Sequence, residues 1–386
     1  MNLQAVLSES VDNDPSHMQI VEAQIQILTE VSIKDIGEKI KSFFRWIWEQ
    51  IKKFGRMIKG IFVKEKNEKI GEKIKKVQEK TKSNDVAIKV EEKAGKKDGE
   101  ESTALIVITP QRPATTSGPQ RPAAPTTDLT TGGPTSPDNP GGGSAYCPID
   151  LFLDPSQIVD TKIGQTLQNV VSNLNKAMDD LFDLFNKGKM DEFKSYMDNL
   201  DVGGDFNDPG VFFTQEFRTE LEKVSGLSMD KLYYVEVNGD NPATASMKIG
   251  THKNVSTFMN KACIEVCKNK MKSALGNDHL SSMANLLMER YKTLINRELP
   301  SLQALENSFE KSLSSLEKTA NSNISKLNTN NENASSMINM VRVTVMQGST
   351  IFKFGNYLMG YMIKQANKSI SALKRSVDTI GHMAGA

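Results

Sequence analysis

The stretch Ile33–Val63, IKDIGEKIKSFFRWIWEQIKKFGRMIKGIFV, constrains this chain more than any other. Ile33, Ile36, Ile40, Phe43, Ile47, Ile51, Phe54, Ile58 and Ile61 recur at steps of three and four, which places them on one face of a helix. Phe44, Trp46, Trp48, Met57 and Phe62 widen that face beyond a coiled-coil seam. Lys34, Lys39, Lys41, Arg45, Lys52, Lys53, Arg56 and Lys59 take the remaining circumference. A helix divided this way belongs at a membrane headgroup layer, in a groove on a partner assembly, or packed on its own domain. Both tryptophans of the chain fall here, where an amphipathic ring suits a membrane interface.

Charge is segregated although the net value is only +1. Residues 1–32 hold five acids (Glu9, Asp12, Asp14, Glu22, Glu30) and no Lys or Arg, whereas residues 33–100 hold 20 Lys and Arg against 12 Asp and Glu. A basic helical segment suits phosphate on lipid or nucleic acid, with an attraction that salt weakens. Three cysteines, Cys147, Cys263 and Cys267, are too few for a disulfide framework. The acidic N-terminal stretch does not read as a signal peptide. Val343–Ile363, interrupted by Gln347, Lys353 and Asn356, reads as a buried or interfacial helix and not as a membrane span.

Four regions follow: an acidic leader at 1–30, a basic amphipathic helical arm at 31–97, a disordered linker at 98–145 and a helical C-terminal domain at 146–386. The arm is expected to bend near Gly55 or Gly60, and its continuation KEKNEKIGEKIKKVQEK is expected to be a solvated helix. IGEKIK occurs at Ile36–Lys41 and again at Ile70–Lys75, which reads as a duplicated basic unit. The linker is rich in Pro, Gly, Thr and Ser and carries PQRPA twice; as a flexible coil its ends would lie roughly 35–40 Å apart. Within it ALIVI, Ala104–Ile108, has the composition of a strand.

The fold class expected is mainly α. The C-terminal part reads as a helical bundle with one small β-hairpin and a long antiparallel helical hairpin. A long helix through Ile158–Phe185 starts at Asp154-Pro155-Ser156, and a shorter one spans Phe193–Leu200. Phe212–Val224 is helical, and LYYVEV and ATASMKI flank a turn as two strands. Leu302, Leu305, Phe309, Leu313, Leu316, Ala320, Ile324 and Leu327 form the first arm of the helical hairpin, and Met337–Leu373 the second. Gly348, Gly355 and Gly360 mark close approach of a neighbour.

No motif for nucleotide, zinc-protease or hydrolase chemistry occurs, and His17, His252, His279 and His382 have no sequence partner for catalysis. Cys263 and Cys267, at i and i+4, read as two buried thiols, because a structural zinc site normally needs four ligands. Asp205–Glu216 partly fits an EF-hand loop, but Pro209 and Phe213 stand at ligand places, so a turn ahead of a helix is the simpler reading. Lys69, Lys73, Lys75, Lys76, Lys80 and Lys82 could contact phosphates, although Glu65, Glu68, Glu72 and Glu79 are interleaved as on a solvated helix. No catalytic residue, metal or cofactor is assigned.

The first 80 residues or so, with their acidic leader, KIKSFFRWIWEQIKKF and Lys/Glu-rich stretch, resemble structural proteins packaged in the virions of large tailed bacteriophages. The resemblance implies a virion location, with host cytoplasm during assembly, and other capsid proteins as partners. T-even-like prohead proteases cut after Glu in a Leu/Ile-x-Glu context. Leu28-Thr29-Glu30 fits, implying cleavage after Glu30, as do Leu7-Ser8-Glu9 and Leu287-Met288-Glu289.

The leading expectation is a non-enzymatic virion structural or internal protein. Its arm would dock on a capsid partner, DNA phosphate or an anionic membrane through Phe43, Phe44, Trp46, Ile47, Trp48, Ile51 and Phe54 with Lys41, Arg45, Lys52, Lys53 and Arg56. Two alternatives are a membrane-active, pore-forming helical protein and a helical-hairpin scaffold or adaptor. An oligomer is compatible with each.

Overall fold

The computed structural model describes residues 33–61, 64–83, 85–94, 104–111, 145–160, 162–198, 208–238, 246–274, 279–326 and 334–385. The leader with Glu30, and most of the expected linker, lie outside these residues. The chain is mainly helical, as expected. It divides into two compact units, each assembled from three stretches: 1–62, 154–262 and 298–366 in the first, and 63–153, 263–297 and 367–386 in the second.

The first unit is built on helix α9, Leu299–Ser325, which buries Leu299, Leu302, Leu305, Phe309, Leu313, Leu316 and Ala320, close to the periodic set read from the sequence. Helices α1 (Ile33–Ile61) and α3 (Ile163–Asn186) pack on it. Gly164 meets Ser308 near the start of α3, and Asn323 donates to Asp179 at 3.2 Å near its end, so α3 runs parallel to α9. Helix α10 (Ala334–Met383) returns the opposite way: Leu316 lies against Gly348 and the Phe309 ring against Gly355, residue numbers falling along one helix as they rise along the other. All three glycines singled out on α10 meet a large side chain, Gly360 touching Phe54 of α1. In the Val343–Ile363 stretch, Ile351, Phe352, Phe354, Leu358, Met359, Met362 and Ile363 are buried.

The long helix expected from Asp154 begins later. Asp154 instead caps a three-residue 3-10 turn, accepting from the Ser156 N–H and hydroxyl at 2.9 and 2.6 Å. Val159 then bridges to Phe213, which holds the backbone extended before α3 can start at Ile163. After α4 (Met190–Asp198), helix α5 covers Gln215–Ser225, shorter than Phe212–Val224 implied at its front. Thr214 caps it by accepting from the Phe217 N–H at 3.3 Å, and Gly226 closes it at φ +67 in the left-handed region that glycine tolerates. Asp208 spends its carboxylate on the Gly210 N–H at 2.8 Å, as a turn ahead of a helix requires. The short helix α6 (Met229–Leu232) leads into the small hairpin of β4 (Tyr233–Asn238) and β5 (Ser246–Thr251), where Tyr234 lies over its cross-strand partner Gly250. Tyr233 is buried among Phe213 and Phe354, and its hydroxyl donates to the sulfur of Met259 on helix α7 (Val255–Ala274) at 2.8 Å.

The second unit corrects two expectations. Helix α2 (Lys64–Ser83) is not merely solvated: Ile70, Ile74, Val77 and Thr81 are buried, and Gly71 admits the Tyr291 ring of α8 (Leu280–Thr293). Gln78 donates to Asn285 of the same helix at 2.8 Å. The arm and linker boundaries are also crossed by a sheet. Strands β1 (Ile88–Ala94), β2 (Ala104–Pro110) and β3 (Ala145–Pro148) pair antiparallel in that order, with Val90 opposite Ile108 and Ile106 opposite Cys147. β2 is the central strand, and its buried Ile106, Val107 and Ile108 explain the uninterrupted apolar run of ALIVI. A π-helical turn at Leu294–Glu298 joins α8 to α9, two residues ahead of Pro300, whose missing N–H and bulky ring disfavour a regular turn there.

Candidate functional site: the basic stripe of the first helix

With about 100° between successive residues of an α-helix, Phe44, Ile47, Ile51, Phe54, Ile58 and Ile61 share an arc of about 100° on α1. Phe44, Ile47, Ile51 and Ile58 are each 0 % exposed. The face expected to meet a foreign surface is therefore internal to the first unit. The Trp48 indole N–H donates to Glu317 of α9 at 2.7 Å, and Trp46 and Trp48 are half-buried. This corrects the picture of a free apolar arm: α9 offers a complementary apolar stripe, and docking removes both from water. The Phe43 side chain lies outside the described residues.

The helix also runs through Gly55 and Gly60 unbroken to Ile61. Gly55 leaves room for the Glu306 carboxylate of α9, which lies where a Cβ would point. Glu306 is buried, accepts from Gln303 at 3.3 Å, and faces Lys59 and Glu310. Burial pushes its carboxyl above the ordinary glutamate value, Glu310 adds to that rise, and Lys59 opposes it.

What α1 presents outward is charge. Lys41, Arg45, Lys52, Arg56 and Lys59 are all exposed. They fall within about 60° of one another on the helix and span about 27 Å along its axis. Lys53 is half-buried at the margin. Glu49 lies beside this stripe, 3.4 Å from Lys52, with both side chains more than half exposed. Such a pair holds its cation weakly. The lysines of α2 differ: Lys73 pairs with Asp378 at 3.0 Å, Lys80 donates to the Gly385 carbonyl at 3.0 Å, and exposed Glu68, Glu72 and Glu79 alternate with them. The stripe on α1 is thus less interrupted by acids of its own helix, and its geometry fits a row of phosphates.

A second polar cluster lies in the second unit. Arg290 of α8 donates to the Leu151 carbonyl at 2.9 Å, to the Leu153 carbonyl and to the Ser369 hydroxyl at 2.8 Å. Cys147, Cys263 and Cys267 are buried. Burial pushes the Cys147 thiol up to about 11 against the opposing effect of Ser376, and raises Cys267 strongly, with Cys263 and Asp150 adding to the rise. Cys147 and Cys267 are thus protonated thiols suited to packing and not to nucleophilic attack. Asp150 is likewise raised by burial, opposed by Lys368 and Arg375. Among the described residues no group of three or more His, Cys, Asp or Glu is placed to hold a metal ion.

The chain matches no family model, no curated protein and no solved structure.

Proposed function

We propose that this chain is a non-enzymatic structural protein of a large assembly, of the kind packaged in tailed-phage virions, and that the basic stripe of α1 grips a phosphate-bearing partner. The observation that carries the reading is the division of α1: five exposed cations in one stripe, with the apolar face occupied by the protein's own α9. Contact with an anionic partner then proceeds by charge, without the apolar insertion an interfacial membrane helix uses. Nucleic-acid phosphate suits a rigid row of cations better than lipid, where inserted side chains supply much of the affinity. Among the described residues no helix is long and apolar enough to cross a membrane.

The test is equilibrium binding of the full chain to a labelled DNA duplex over a range of salt. If all five cations neutralise phosphates, log K should fall with log salt at a slope of about −4.5. The double variant K52E/R56E should weaken binding and flatten the slope. Binding that ignores salt, or that the double variant leaves intact, removes the site. Flotation with anionic vesicles alone, without duplex binding, would reassign the stripe to membrane. Mass spectrometry of purified particles tests the virion location. The packed α9–α10 hairpin favours a second reading as a helical scaffold, which predicts neither duplex nor vesicle binding.

A further inference from the structure

We propose that helix α2 and the end of α10 form a second nucleic-acid contact, in which Lys69, Lys73, Lys76, Lys80 and Lys374 bind backbone phosphates. The site lies wholly in the second unit and does not rest on the stripe of α1. Its basis is a shared register. Lys73 reaches Asp378 and Lys80 reaches the Gly385 carbonyl, each at 3.0 Å, and both pairs are 305 residues apart. The two segments therefore run parallel and in step. One turn earlier, the same offset sets Lys69 level with Lys374. Two like charges placed side by side repel, and an anion held between them relieves that repulsion.

The glutamates of α2 alternate with these lysines in sequence but not in space. On the helix, Lys69, Lys73, Lys76 and Lys80 fall within about 60° of one another, and Glu68, Glu72 and Glu79 lie on an arc centred about 90° away. The four lysines and Lys374 are all exposed. Among the described residues, the side chains of Lys69, Lys76 and Lys374 hold no ion pair or hydrogen bond. Residues 367–386 contribute one acid, Asp378, which already pairs with Lys73. The occupant is nucleic acid and not lipid. Lys69 to Lys80 span about 16 Å, with successive lysines about 4.5–6 Å apart, a closely spaced row that a phosphate strand complements. Every described residue of α2 that is exposed is Lys, Glu or Ser, so this face has nothing apolar to insert between acyl chains.

The experiment measures binding of the full chain to the labelled duplex across a salt series, comparing the parent with K69Q/K374Q and D378N. Losing two phosphate contacts should flatten the slope of log K against log salt by about 1.8 and weaken binding about tenfold or more in 0.1 M salt. Asp378→Asn removes the one acid of the α10 segment, frees Lys73 and should tighten binding several-fold; unchanged or weaker binding overturns the groove. If K69Q/K374Q binds as the parent does while K52E/R56E loses binding, this site falls and the α1 stripe stands. The reverse pattern keeps this site and removes the stripe. A parent that floats with anionic vesicles and ignores the duplex overturns the proposal. Lysine acylation of the parent, mapped by mass spectrometry, gives a reading that needs no variant. The duplex should protect Lys69, Lys76 and Lys374 and leave Lys75 and Lys82, which lie about 140° around α2, open to reagent. Equal modification of both groups with and without duplex overturns the site.

Discussion

The docking of α1 on α9 can be tested by one truncation. Ile51 is 0 % exposed in the middle of the buried arc. Ile51→Ala deletes three carbons, and about 0.8 kcal/mol per buried methylene gives ~2.4 kcal/mol for transfer alone. The cavity left behind adds to this, and buried Ile→Ala changes as a class cost about 2–5 kcal/mol. Lys52, the next residue, is exposed, so Lys52→Ala should stay within about 0.5 kcal/mol. The assay is urea unfolding followed by tryptophan emission. Trp46 and Trp48 are the only indoles of the chain, so the signal reports on this helix. A midpoint shift worth about 2.5–4 kcal/mol for Ile51→Ala, beside a negligible shift for Lys52→Ala, is expected. If the two variants are indistinguishable, α1 is not held by its apolar face and the argument for an outward-facing stripe fails.

Glu306→Gln should stabilise the first unit at neutral pH. The folded-state carboxyl titrates above its ordinary value of 4.5, so the folded protein binds the proton more tightly than the unfolded chain. Stability from this group is complete below 4.5 and lost as pH rises through the folded value. Thermal melts of the parent should show that decline relative to Glu306→Gln, and a parallel pH profile for the two would refute it. Gly355→Ala drives a methyl into the Phe309 ring and should cost about 1–3 kcal/mol despite a better helix former. Gly60→Ala meets nothing within 4 Å and should gain up to about 1 kcal/mol, so denaturation of this pair separates close approach from propensity. Arg290→Ala leaves the Leu151 and Leu153 carbonyls without their guanidinium donor. A loss of about 2–4 kcal/mol in the second unit is expected, read by hydrogen exchange of α8.

The elements that repeat locally were legible in the sequence, and their partners were not. The three-and-four spacing of Ile47, Ile51, Phe54 and Ile58 identifies the buried arc of α1 correctly. Nothing near Trp48 indicates Glu317, which is 269 residues away. The cation stripe was visible for the same reason as the apolar face, because it follows from one helix's geometry. The sheet was harder. IKVEEKA resembles the charged run around it, and its strand character depends on Val90 facing Ile108 across residues of different composition. Sparse apolar positions also misled: Ile70, Ile74 and Val77 suffice to bury α2 because Gly71 makes room for Tyr291. Asp154-Pro155-Ser156 is a sound helix start by composition, yet the distant Phe213 captures Val159 first.

The interleaving of the two units has a consequence for how the protein is made. The backbone passes from one unit to the other five times, and each unit recruits one of the last two stretches, 298–366 or 367–386. A chain still emerging from the ribosome cannot complete either unit. Helix α1, translated early, must wait for α9 before its isoleucines have cover. During that interval the greasy side of α1 is a sticky surface, which makes the nascent protein a client for chaperones and a hazard for self-association in a way the finished fold is not.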